Sequence, residues 1–110
     1  MSRYKFNLAN YIKKYENISR EEFFRRINFV IDSLKKYSGV VDNIKLAIFC
    51  FNKMLISYRT GKKLDLTKEQ LHITINVLEK IYVDESLSEE EKSHHHYMAQ
   101  LCRDMLDSFK

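Results

Sequence analysis

Proline and tryptophan are absent from this sequence, and glycine occurs only twice in 110 residues, at Gly39 and Gly61. Turns rely on glycine and proline for backbone angles that other residues reach only with strain, so a β-rich fold or a scaffold of long shaped loops is excluded. Cysteine is nearly as scarce. Cys50 and Cys102 both fall on apolar helical stripes, which predicts buried thiols in a reducing compartment, with a single disulfide as the alternative. No stretch approaches the ~20 consecutive apolar residues that a membrane-spanning helix needs. The leading segment MSRYKFNLAN lacks the apolar run of a secretory signal, so the expected location is the cytoplasm. Also missing are a glycine-flanked serine, a phosphate-cradling glycine loop and a CxxC pair. These absences predict a protein that is not an enzyme and holds no cofactor and no metal.

What the sequence does contain is apolar material: 45% of its residues are hydrophobic. The densest stretch is IKLAIFCFNKMLISY, Ile44 to Tyr58. At a helical advance of ~100° per residue, Ile44, Ala47, Ile48, Phe51, Leu55 and Tyr58 form one stripe; Leu46, Cys50 and Met54 cover much of the opposite side, and Phe49 and Ile56 a third sector. A helix apolar nearly all round belongs inside a core. The stretch is therefore read as a buried central helix over residues 42–60, capped by Asp42 and stopped by Gly61, with the other segments as its wrapping.

Those segments carry helical signals of their own. Leu8, Tyr11, Ile12 and Tyr15 give a short amphipathic helix over 7–16. Ser19 with Glu22 reads as a capping box, followed by Phe23, Ile27, Val30, Leu34 and Tyr37 and the stop glycine Gly39. A linker, TGKKLDL, leads to a second capping box at Thr67 and Gln70 and to a helix with Leu71, Ile75, Leu78 and Tyr82 inward, widened by Ile73, Val77 and Ile81. A third box, Ser88 with Glu91, opens a last helix that turns Met98, Leu101, Cys102, Met105 and Phe109 to the core. The expected fold is one all-α domain over 1–110, a bundle of four main helices plus a short N-terminal one.

Charge is unevenly spread. Residues 1–63 hold fourteen Lys/Arg against five Asp/Glu, a net of +9; residues 64–110 hold five against ten, a net of −5. Either the basic half meets an anionic partner, or the two halves complement each other within the bundle or across a homodimer. Two candidate surfaces follow. Phe29 lies off the core stripe of its helix, among Arg25, Arg26 and Lys36, either as an aromatic anchor in a protein interface or under the cover of another helix. Lys45, Asn52 and Arg59 recur every seventh residue as the polar strip of the central helix; with Lys62 and Lys63 they form a candidate contact line for anions or nucleic acid. The run His94, His95, His96 does not predict a metal site, because consecutive helical residues diverge by ~100° and cannot converge on one ion.

In length and build the chain resembles the small helical bundles found among bacteriocin-immunity proteins, phage-encoded inhibitors and RNA-binding subunits of bacterial defence complexes. No motif ties it to any of them. The expected function is binding to a larger protein, as an inhibitor, immunity factor or accessory subunit. The alternative is nucleic-acid binding through the basic, aromatic-rich half.

Overall fold

The computed structural model of the chain describes residues 3–16 and 18–108, with side chains described for 7–14 and 18–108. The elements run β1 (Arg3–Phe6), α1 (Leu8–Tyr11, continued by a π-helical turn, Ile12–Glu16), α2 (Arg20–Lys35), α3 (Ile44–Thr60), β2 (Leu64–Thr67), α4 (Lys68–Tyr82) and α5 (Glu89–Asp107). The all-α bundle expected from the sequence is present. The expected inward positions Tyr15 and Phe109 lie outside the described side chains.

The caps explain why most helices start where they do. Thr67 and Ser88 each open a reciprocal box, with Gln70 and Glu91 reaching back to the cap backbone, so two free N–H groups are satisfied at each end. Ser88→Ala is expected to lower stability by about 1 kcal/mol in urea unfolding. At Ser19 only half of the box exists: its hydroxyl accepts from the Glu22 N–H at 3.1 Å, while the Glu22 carboxylate is taken by arginines. Helix α3 begins at Ile44, two residues later than expected, and Asp42 does not cap it. Asn43 occupies the cap in the left-handed region (φ 69°), a conformation asparagine tolerates, and makes no side-chain cap bond. Gly61, at φ 75°, ends α3 as predicted.

The segment read as a linker is partly a strand. Leu64–Thr67 pairs antiparallel with Arg3–Phe6, in the register Arg3 opposite Thr67 and Phe6 opposite Leu64. Leu64 and Leu66 turn into the core, and the Lys53 ammonium donates to the Asp65 carbonyl at 2.6 Å, which ties this ribbon to α3.

Packing corrects the picture of α3. Each long helix has two long-helix neighbours: α2 packs on α3, α3 on α4, α4 on α5, and α5 back on α2, with α1 and β2 against α3. In such a ring no helix is enclosed, so α3 has an outer face like the rest. Ala47, Cys50, Phe51 and Met54 are fully buried, whereas Phe49 is 44% and Ile56 59% exposed. Leu55, Ile48 and Tyr58 are half-buried against the core rim. On α4, Tyr82 is exposed instead of inward, and Thr74 takes a core position, its hydroxyl satisfied by the Gln70 carbonyl at 2.8 Å. Cys50 and Cys102 are free and buried, and burial pushes both thiols up, so they stay protonated.

Candidate functional site

The outer face of α3 exposes two large hydrophobic residues, Phe49 and Ile56. Phe49 and Ile56 are seven residues apart, hence about 10 Å apart along the same side of the helix. Beside them runs the predicted strip Lys45, Asn52 and Arg59, all exposed. Helix α3 contains no acidic residue. Among the described residues, no carboxylate lies within ion-pair distance of Lys45, Arg59, Lys62 or Lys63. Lys53 leans over the Phe49 ring, its ammonium 5.5 Å from the centroid, and carries positive charge to the apolar pair's other flank. The face is backed by the buried Phe51 and Met54, so it is held on a rigid support.

The strip continues into an aromatic–guanidinium cluster where α3 ends and α2 begins. The Tyr58 ring stacks on Phe23 at 4.5 Å and meets Phe24 edge-on at 5.3 Å. Arg20 lies 5.4 Å and Arg59 6.0 Å from the Phe24 centroid, and the Arg20 guanidinium donates to the Arg59 carbonyl at 3.3 Å. A shallow pocket beside Tyr58 is lined by Ala9, Lys13, Ile18 and Arg20.

The other predicted surface, around Phe29, sits along the seam between α2 and α5. Phe29 is half-buried, with its ring 4.7 Å from that of His94, so part of the cover missing on its own helix comes from α5. The surrounding cations are already paired. Arg25 bonds the Glu22 carboxylate at 2.8 Å and approaches Glu90 at 3.7 Å. Arg26 holds Glu22 at 3.0 Å and lies 4.6 Å over the Tyr97 ring. Hydrogen bonds from Arg25, then Arg26, bring Glu22 down to about 2. Lys36 reaches Glu91 at 3.3 Å. Here basic α2 is complemented within the bundle by acidic α5.

Sequence reasoning missed a buried polar relay in the same seam. The Ser33 hydroxyl, 2% exposed, donates to Glu91 Oε2 at 3.1 Å and lies 2.9 Å from His95 Nε2. Glu91 Oε1 meanwhile accepts the Ser88 N–H at 3.2 Å, so one carboxylate serves both cap and relay. That N–H, followed by Ser33 and Lys36, keeps Glu91 below its ordinary value and ionised. The serine proton is committed to Glu91, so Oγ must accept from an Nε2–H of His95. A histidine that donates to a serine is not its base. The linear pattern holds no signal for this cluster, because Ser33 and His95 are 62 positions apart.

His95 also forms part of the wall of a cavity of about 300 Å³ between α4 and α5. Among the described residues, no group of three or more His, Cys, Asp or Glu is arranged to hold a metal, and no helix is long and apolar enough to cross a membrane. Comparison with known proteins adds no relative: no family model matches the chain, and no curated protein and no solved structure is similar to it.

Proposed function

We propose that this protein is a non-enzymatic binding module that engages a larger protein through the outer face of α3. The observation that carries this reading is the exposed Phe49–Ile56 pair set among Lys45, Lys53 and Arg59 on a helix without a single acidic residue. Large apolar side chains held on a rigid helix supply burial energy, and a rim of one charge sign selects the partner. The complementary surface is an apolar hollow edged by Asp and Glu. Phe29, with its arginines already paired, is assigned to the α2–α5 seam in this reading, and α3 supplies the anchor.

Ile56→Glu places a negative charge among the cations and removes the apolar contact while keeping a good helix former at an exposed site. It is expected to weaken partner binding about thirtyfold or more, with little change in thermal stability. The partner is trapped by a photo-crosslinking residue placed at position 56, with the exposed His72 position on α4 as control. Protein adducts from position 56, none from 72, and loss of binding in Ile56→Glu support the reading. An equal yield from both positions, or unchanged affinity in the variant, overturns it. An adduct with a second copy of the chain makes the face a homodimer interface instead.

Nucleic-acid binding is the second reading. It has one observation in its favour: Arg20 and Arg59 lie over Phe24 beside Tyr58, a layer on which bases could stack. The two readings differ in salt response. Phosphate binding falls log-linearly and steeply with salt, whereas an interface anchored by Phe49 and Ile56 keeps most of its affinity.

A further inference from the structure

The shallow pocket beside Tyr58, about 290 Å³ in volume, lies where three segments of the chain meet. Ala9 and Lys13 come from α1 and its π-helical turn, Ile18 and Arg20 flank the Ser19 cap of α2, and Tyr58 stands in the last turn of α3. Ala9, Ile18 and Tyr58 are half-buried and give the pocket a floor set in the bundle. The Tyr58 ring is held there by Phe23 and Phe24. Lys13 and Arg20 are exposed, so their charged ends are open to a bound group. The Arg20 guanidinium lies 6.0 Å from the Tyr58 centroid, which puts one of the two charges at the aromatic wall.

Neither charge is answered within the protein. Arg20 gives one hydrogen bond, to the Arg59 carbonyl. Among the described residues, no carboxylate lies within ion-pair distance of Arg20 or Lys13. The described walls include no Asp or Glu. Glu22, one turn into α2, is taken by Arg25 and Arg26. Two cations lining one pocket repel each other, and a bound anion reverses the sign of that energy. The planar fork of arginine fits the oxygens of a phosphate, and a lysine adds a mobile point charge. A phosphomonoester carries close to two negative charges at neutral pH, which matches the pair, whereas one carboxylate would leave a cation unanswered. The Tyr58 ring adds a surface for a second ring, stacked or edge-on.

We propose that this pocket binds a small organic phosphate, a phosphomonoester carried on a planar ring, with Lys13 and Arg20 on the phosphate and Tyr58 against the ring. The site shares Arg20 and Tyr58 with the stacking layer of the nucleic-acid reading but needs no polymer. It is independent of the Phe49–Ile56 face.

Phenyl phosphate, inorganic phosphate and phenol test the proposal, because they separate the two halves of the ligand. Each is titrated at pH 7.5 and constant ionic strength into ¹⁵N-labelled wild-type protein. Phenyl phosphate is expected to bind saturably and to shift the amides of Ile18 and Tyr58 and the Nε–H of Arg20. Inorganic phosphate and phenol should each bind about tenfold more weakly or worse. Lys13→Gln and Arg20→Gln, both at exposed positions, should each weaken phenyl phosphate about tenfold. Lys80→Gln, which removes an exposed charge on α4, should leave its affinity unchanged. Equal affinity for phenyl phosphate and inorganic phosphate means ion attraction without a ring site and overturns the proposal. So does an equal loss in Lys80→Gln, or a phenyl phosphate titration that does not saturate. The last probe is a short oligonucleotide without a terminal phosphate. If it binds more tightly than phenyl phosphate and displaces it, the pocket is one stop on a nucleic-acid track and the small-ligand proposal fails.

Discussion

Phe51→Ala is expected to lower the free energy of unfolding by about 3–5 kcal/mol, measured by urea denaturation at neutral pH. The ring is completely buried on the inner side of α3, the helix that packs on α1, α2, α4 and β2. Truncation removes its transfer energy and leaves a void that four neighbouring elements cannot all collapse into. A small domain has only about 5–15 kcal/mol to lose, so the variant sits near the edge of folding. Ile56→Ala, five residues further along the same helix, should cost under about 1 kcal/mol, because that side chain is 59% exposed. The contrast tests the rotational setting of α3. Equal losses at the two positions would mean that the helix is turned differently, and the proposed binding face would go with it.

The second large effect is on pH. Burial, followed by the proximity of His94 and Lys36, depresses His95 to about 4, with the Glu91 carboxylate opposing the shift; an exposed histidine titrates near 6.5. A depressed folded-state value means that the unfolded chain takes up the proton first. Stability from the neutral ring is therefore complete above pH 6.5. It falls as pH drops toward 4, and below 4 the contribution is gone. The size is about 3 kcal/mol across the interval. His95→Phe should reduce the slope of unfolding free energy between pH 6.5 and 4, and should leave the loss in acid to which Glu22, Asp84 and Glu91 contribute through their own lowered values. Parallel pH profiles for the wild type and the variant would mean that His95 is not held neutral in the folded protein.

Much of the architecture was legible from local chemistry. Phe23, Ile27, Val30 and Leu34 repeat at helical spacing and are all fully buried. Thr67 with Gln70, and Ser88 with Glu91, are caps whose partners lie three residues away, within reach of any local reading. What local chemistry could not decide was which of the three apolar sectors of α3 would face out. That depends on how many neighbours the helix has, a property of the ring and not of the segment. The same limit hid the best candidate surface, since Phe49 and Ile56 looked like core. It also left open whether another helix covers Phe29 and could not name the residue that does so in part, His94, on a helix 65 positions away. Ser33 reads as one more polar residue on a charged face until Glu91 and His95 arrive from α5. The ribbon escaped notice because RYKF and LDLT are each four residues long and pair across about sixty positions, so neither carries a signal alone.

Thr67 holds two posts in that arrangement: it is opposite Arg3 at one end of the ladder, and its hydroxyl is the first cap of α4, accepting the Gln70 N–H at 3.1 Å. Strand release and helix fraying are therefore expected to be one local event. When β1 lifts away, the residue that anchors the first turn of α4 loses its lateral restraint, and loosening of that turn in turn frees the last rung. The amides of Leu64–Thr67 and of the first turn of α4 should thus exchange with solvent as a single cooperative unit, with one opening free energy, distinct from the deeper unit formed by α2 and α5. On that expectation Arg3–Phe6 acts at a distance, as the latch on a helix whose own sequence contains none of those residues.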